Sequence, residues 1–324
     1  MTVAAARGQV LTVLHPFSAL DAVARTNSDG AKPLGGLTQG WDGSFYGTTE
    51  VGGTNGTGTI FKITPGGSFV LVHTFSAFDS NTNADGAYPD GSLVRGSDGT
   101  LYGTAGGGGA YGNYGTVFKI TTNDAFVLLH SFDYSSGENP DSSLILAGDG
   151  YLYGTAVLGG SGGNGTLFQI STNGDFQAIY EFTSSAPLTP ENYTNADGSR
   201  PYGLTQCGDG NFYGTTELGG SNGNGTVFQF TTNGVFNLLH TFSPQAPVSG
   251  TNADGAGPQA PLTQGLDGGF YGTTPYGGTN SSGTIFRVTA GGGFSTVHSF
   301  DFFNDGANSY SPLLLYHGRF IGTA

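Results

Sequence analysis

Short runs of leucine, β-branched and aromatic residues alternate along the chain with polar stretches rich in glycine and asparagine, and the alternation repeats. The tripeptide Tyr-Gly-Thr starts at Tyr46, Tyr102, Tyr153, Tyr213 and Tyr271, and a sixth, altered copy is Ile321-Gly322-Thr323. A spacing of about 50–60 residues, carried by short strands and glycine turns, marks a radial or stacked β-array. In the first copy residues 36–39 form one strand-like run, Asp42-Gly43 supplies a hairpin turn, and residues 44–49 form a second run. A loop over 50–58 leads to a third run at 59–63, Pro65-Gly66-Gly67 turns the chain, and residues 69–75 form a fourth. Four strands joined by tight, loose and tight turns describe one propeller blade.

The pattern predicts blades at 33–75, 89–132, 140–182, 201–242 and 258–300 within one domain spanning 1–324. The sixth copy, at 311–324, has only the first two strands. Residues 1–17 supply the missing half: 9–17 match a fourth strand, and 2–6 match a third strand less well. The expectation is therefore an all-β, six-bladed β-propeller with four antiparallel strands per blade, closed by a composite blade built from both termini. Five blades with frayed ends, or a stacked solenoid, are the alternatives; a solenoid wants capping repeats rather than complementary halves.

The runs Asp-Gly-x-x-Pro, Leu-Thr-Gln-Gly, Asp-Gly-x-Phe-Tyr-Gly-Thr-Thr, Gly-Gly and Gly-Thr-Val/Ile-Phe-Lys/Gln-Ile are clearest over 29–63 and 197–230. They resemble the tandem GloVer repeat of Gloeobacter and Verrucomicrobia, over essentially the whole chain. The resemblance implies exported proteins with varied C-terminal anchors, and it brings no catalytic residue with it. The third copy departs most: residues 143–146 read Ser-Leu-Ile-Leu, and Tyr180 stands where the other copies have histidine.

Composition narrows the partners. Sixty glycines without a three-residue period exclude collagen. A net charge of −14 repels phosphate backbones, so no nucleic acid is expected. The chain has no basic amphipathic stretch and no long apolar run, so no membrane insertion is expected. Cys207 is the only cysteine, which rules out an intrachain disulfide. The surface is rich in Asn, Ser, Thr and Gly and poor in lysine. Together with the resemblance it predicts a monomer at the cell surface or outside the cell, with leader and anchor lying beyond this sequence.

Propeller topology gathers the inter-blade loops and the Gly-Gly loops on one face, where function usually lies. The inter-blade loops repeat Asn-x-Asp-Gly, and oxygen ligands two residues apart before a glycine open a calcium loop. Candidate Ca2+ ligands are Asp29, Asn83, Asp85, Asp197, Asp254 and Asp305. The EF-hand pattern fails, since the twelfth position from Asn81 is Ser92. The plainer reading is an Asx-turn made by each Asp to its own backbone. His15, His73, His130, His240 and His298 recur on fourth strands. There Phe69, Leu71, His73 and Phe75 share a parity, which predicts histidines packed between blades and bonded to backbone or threonine hydroxyls.

Residues that break the symmetry are the candidate ligand contacts: Tyr88, Tyr111, Tyr114, Tyr202, Tyr276 and Tyr310, with Arg95 beside Gln39, Gln206 and Gln264 as channel lining. Tyrosines among Asn and Asp suit a sugar, stacking a ring face while amides and carboxylates take the hydroxyls. The leading expectation is an extracellular, non-catalytic recognition or adhesion module for glycans, in which repeated sites add by effective concentration. One alternative is a polysaccharide lyase or hydrolase at the channel mouth, with Asp90, Arg95, Glu138, Asp141 and Arg200 as candidates; no nucleophile–base–orienter triad is visible. The other is a structural surface or spacer protein.

Overall fold

The computed structural model describes residues 12–189 and 192–324. Each Tyr-Gly-Thr lies on the second strand of a four-stranded antiparallel sheet whose strands pair in chain order. The first sheet comprises Thr38–Gln39, Phe45–Thr49, Thr59–Ile63 and Phe69–Thr74. Four more sheets of the same kind follow, and a two-stranded pair, Leu314–Tyr316 with Arg319–Ile321, comes last.

The tripeptide divides its work among three neighbours. In three copies tyrosine ties its own hairpin: the hydroxyls of Tyr153, Tyr213 and Tyr271 donate to Asp149, Asp209 and Asp267 of the preceding Asp-Gly turns, at 2.7, 2.7 and 3.1 Å, whereas Tyr46 donates to Asp124 of the second sheet. Glycine leaves room for the third-strand phenylalanine, because a Cβ on Gly47 would lie 2.6 Å from the Phe61 ring. In four of the five copies threonine joins its sheet to the next. Thr48, Thr104, Thr215 and Thr273 donate to the carbonyls of Gly91, Ser142, Ala260 and Ser311.

Both faces of the first four four-stranded sheets are covered, so their third strands are buried on successive residues. Aromatic rings fill the wedges between sheets. Phe75 of the first sheet meets Phe118 and Phe126 of the second edge-on, with centroids 5.7 and 5.8 Å apart. The parity expected of the fourth strand does not hold. A bulge breaks the register between Ile60 and Phe61, which pair with His73 and Leu71 and leave Val72 as the extra residue. One inserted residue flips everything beyond it. Phe69 therefore faces back toward His15 and Phe17, while His73 and Phe75 face forward to the second sheet.

Sheets succeeding one another around an axis, each presenting its first strand inward, make this a β-propeller. The same bond recurs from sheet to sheet on the inner strands: Thr38, Thr205 and Thr263 donate to the carbonyls of Leu93, Leu262 and Leu313. The third-strand match at 2–6 lies outside the described residues. Of the expected strand at 9–17, residues 12–17 form no strand, yet His15 stacks on Phe69 at 3.8 Å as His73 stacks on Phe126 at 4.0 Å. A hairpin of Ala186–Thr189 and Asn192–Thr194 was not foreseen in the sequence, and the fourth sheet begins with a longer, bulged strand, Ser199–Gln206. Among the described residues no helix is long and apolar enough to cross a membrane.

Candidate functional site

The two loop families do meet, and the Asn-x-Asp-Gly motif is what joins them. Asn83 is saturated: its amide donates to the carbonyls of Ser76 and Gly86, and its oxygen accepts from the N–H groups of Gly86 and Gly109. Asn27, Asn195 and Asn252 make the same set. The local turn is thus closed by the asparagine, not by the aspartate. Asp85 instead reaches back to the preceding sheet, accepting from His73 Nε2 at 2.8 Å and from the Ser76 N–H at 3.0 and 3.2 Å.

The other loops repeat the clamp. Asp29 takes His15 at 2.9 Å, Asp254 takes His240 at 2.9 Å, Asp305 takes His298 at 2.7 Å, and Asp197 takes the Tyr180 hydroxyl at 2.7 Å. The histidines do pack between sheets as the sequence suggests, but their partner is a carboxylate rather than a threonine or the backbone. Burial opposes the charge of Asp85 and Asp254, yet the bonds from histidine and serine outweigh it and hold both carboxyls below the ordinary range. The oxygens proposed for calcium are therefore occupied by protein donors. The described residues contain no group of three or more His, Cys, Asp or Glu that could hold a metal.

The third loop lacks the clamp. Ser136 stands where Asp85 stands, receiving the Asp133 N–H through its Oγ while its own carbonyl takes Thr166. His130 still stacks on Phe176 at 3.8 Å, but its Nε2 is buried with no partner. Burial pushes its pKa down to about 4, against the pull of Asp133.

Immediately after each Asp-Gly or its equivalent, the backbone makes a second repeated move. Lys32, Tyr88, Asn139, Arg200 and Asn308 all take positive φ, between 55° and 59°, and Gly257 does so at 66°. Left-handed backbone costs most non-glycine residues about 1–2 kcal/mol, so Lys32, Tyr88 and Arg200 are kept here against a strain that Asn139 and Asn308 tolerate more easily. The conformation is fixed by the preceding sheet: the N–H groups of Tyr88, Asn139, Arg200, Gly257 and Asn308 donate to carbonyls of its second-to-third connection, at 2.9 to 3.0 Å. Two residues further on in successive repeats stand Leu34, Asp90, Asp141, Tyr202, Gln259 and, in the last repeat, Tyr310.

The first five of these line a cavity of about 410 Å³, which Pro312 borders from the last repeat. A hollow of about 540 Å³ among the hairpin turns of the second and third sheets draws on those two sheets alone. The axial cavity is where the repeats differ most. Burial, with the charges of Asp141 and Glu50, pushes Asp90 up to about 7 despite Lys32. Its Oδ1 is buried and accepts no hydrogen bond. Burial and Glu50 push Asp141 up to about 6. Repulsion within such a pair is mutual, and whichever carboxyl ionises second bears more of it. Burial, Glu217 and Asp141 raise Tyr202 to about 12.

Of the candidate ligand contacts, Tyr202 lines the cavity. Tyr276 and Tyr310 join hydroxyls at 2.9 Å near it, and Tyr88 sits on the positive-φ ring beside Phe78. Tyr111 is exposed on its own loop, and Tyr114 packs into the interface of the second and third sheets. Arg95 does not face the cavity: its guanidinium donates to the Gln39 carbonyl at 3.2 Å. Gln39 and Gln206 bond the Gly43 and Gly210 carbonyls, and Gln264 accepts from the Gly208 N–H, all at the tight turns. Asp90 and Asp141, first considered as acid–base candidates, share the cavity, and Arg200 stands at its rim; Glu138 is set apart by its pairing with Leu158. The contributions of Leu34, Gln259, Glu50 and Glu217 were missed. The signal for the first two was available as the residue after Pro33 and Pro258.

Comparison with known proteins supports the architecture. Hydrazine synthase of Kuenenia stuttgartiensis superposes with a TM-score of 0.54 at 12% identity, over 90% of this chain and 73% of that one. A gluconolactonase from Xanthomonas campestris gives 0.50 at 13%, over 89% and 81%. A structural-genomics protein of unknown function from Bacteroides thetaiotaomicron gives 0.50 at 14%, over 91% and 67%. Identities this low speak for the fold alone. No curated protein matches the chain. The Gloeobacter/Verrucomicrobia repeat, by contrast, matches residues 5–194 and 189–324, and the chain belongs to that repeat family.

Proposed function

We propose that the chain is an extracellular recognition module that takes the hydroxyl-rich end of a glycan into its axial cavity. The observation that carries this reading is the ring of positive-φ residues, one per repeat, after which leucine, aspartate, tyrosine and glutamine side chains come together at one cavity. A purely structural ring has no use for a buried carboxyl oxygen without a donor, whereas a ligand hydroxyl supplies the donor. Tyr202 offers an apolar wall and Gln259 a further polar contact. The repeats converge on one axis, which favours a single site over several equivalent ones.

We also propose that the ring closes as six blades. Three features support this: His15 and Phe17 cover the first sheet as His73 and Phe75 cover the second, the Leu314–Tyr316 strand abuts the inner strand of the fifth sheet, and Leu34 and Pro312 border one cavity. Deleting residues 1–17 is expected to lower the melting temperature sharply. An unchanged melting temperature would contradict closure.

A glycan array tests the function. Binding that disappears in Asp90→Ala or Asp141→Ala is expected; an empty array, or binding indifferent to both substitutions, would refute it. A second reading, general acid–base hydrolysis, is favoured by the raised carboxyls, since near neutrality one of the pair can hold a proton while the other is charged. Turnover of aryl glycosides that is abolished in Asp90→Asn would decide for it.

A further inference from the structure

Resting on the axial cavity as the ligand site, we infer that the ligand is an amino sugar with a free ammonium group, which seats against Asp90 and Asp141 while the sugar ring meets Tyr202. The argument is one of charge balance. Every cation near the cavity already has a partner. Lys32 Nζ lies 2.9 Å from Glu50, and Arg200 lies 3.3 Å from Glu217, whose other oxygen takes the Gln259 amide at 3.0 Å. Among the described residues no cation bonds Asp90 or Asp141.

The wall hydroxyls bond elsewhere, and none of them donates to Asp90 or Asp141. The Ser142 hydroxyl pairs with Thr155 at 2.8 Å, while Ser92 and Ser143 accept from the N–H groups of Gly36 and Ser92. Two half-buried carboxyls, one with an oxygen closed off from water, are left without a bonded counter-charge, and such groups either hold a proton or acquire a cation. Both are in fact held toward the protonated form. A ligand ammonium reverses that by supplying charge and donors together. A bare divalent ion would want at least one more protein carboxylate or imidazole, and no such trio occurs among the described residues. An aliphatic diamine would leave the Tyr202 ring and Gln259 unused.

Sign follows from the charged form being the binding form. As pH falls from 7 to 5 the ligand's amino group, with the pKa of an α-amine, stays protonated, while Asp90 and Asp141 take up protons and the ammonium loses its partners, so its affinity falls. A neutral sugar does not show that fall. The groups facing the pair are Glu50 and Lys32 on one side and Tyr202, Glu217 and Arg200 on the other.

Calorimetric titration of the intact chain with glucosamine, galactosamine, their N-acetyl forms, glucose, galactose, putrescine and calcium chloride provides the test. An amino sugar is expected to bind about tenfold or more tightly than its neutral counterpart at pH 7, where its amino group is charged. That preference should shrink at pH 5 and vanish in Asp141→Asn and Asp90→Asn, with melting temperature as the control for folding. Neutral and amino sugars binding alike would overturn this inference and leave glycan recognition standing. No sugar binding would overturn both. Putrescine or calcium matching the amino sugars, or a preference that survives both substitutions, would overturn the inference.

Discussion

Asp85 and Asp90 lie five residues apart in one inter-blade loop and meet opposite surroundings. Asp85 accepts from a histidine and a backbone N–H of the preceding sheet, and these bonds keep it charged against its burial. Asp90 faces the axis beside a second carboxyl, keeps one oxygen without a donor, and is pushed up to about 7. The first is the repeated element, with counterparts in Asp29, Asp197, Asp254 and Asp305. The second is matched only by Asp141 and is replaced elsewhere by Leu34, Tyr202, Gln259 and Tyr310. Repetition here marks what holds the ring together, and departure from repetition marks what the ring presents.

The largest effect that would sharpen this contrast is on the clamp. Asp85→Ala strands His73 and the Ser76 N–H and should cost about 2–4 kcal/mol in denaturant unfolding. A loss within 0.5 kcal/mol, about the size of an ordinary surface substitution, would break it. Because the folded carboxyl lies below its ordinary 3.8, that stabilisation is complete above pH 5 and disappears as the pH falls below 3.8.

Gly106→Ala comes next. Its Cβ would lie 1.9 Å from Asp141 Oδ1, so the carboxyl must move while the fold is little changed. Ligand affinity should fall about tenfold or more, the worth of one charge-assisted bond, with a small change in melting temperature. Undiminished affinity would remove Asp141 from the site.

Asp90→Asn should work in the opposite sense to the clamp substitution. A carboxyl raised in the folded state stabilises fully below its unfolded pKa and loses that contribution as pH rises from about 4 to about 7. The variant should therefore match the parent near pH 4 and melt a few degrees higher near pH 8, in paired thermal scans.

The smallest effect concerns the loop without a clamp. Changing Ser136→Asp together with Asp133→Ser restores the side chains of the other loops and gives His130 a carboxylate. Stability should rise by about 1 kcal/mol or less, and the imidazole titration, followed by NMR, should move up from about 4. Calcium and chelator should leave the melting temperature unchanged, since the loop oxygens are engaged; a clear calcium-dependent rise would reopen them as ligands.

Strand order was legible because the signals are local. Asp-Gly turns, alternation and the third-strand phenylalanine recur within each copy, and the run predicted at 59–63 coincides with Thr59–Ile63. The bulge beside Phe61 was not legible. It adds a residue without any glycine or proline to mark it, and so the one face expected of Phe69, Leu71, His73 and Phe75 does not hold. The clamp was half legible. Asn-x-Asp-Gly looks like a local turn or a calcium loop, because its real partner, His73, lies in the preceding sheet. The axial ring was legible only as a difference. Leu34, Asp90, Asp141, Tyr202 and Gln259 share nothing but their place after a proline, and a search by residue type passes over them. Arg95 drew notice as a lone cation on an inner strand, but the strand carries it to the tight-turn end of the channel.

One measurement bears on the two aspartates at once: carboxyl carbon shifts of Asp85 and Asp90 followed by NMR across pH in a single sample. Asp90 should titrate near 7 and Asp85 below 3.8. Both titrating together near 4, or Asp90 below Asp85, would contradict the division between a carboxylate that builds the ring and one that serves it.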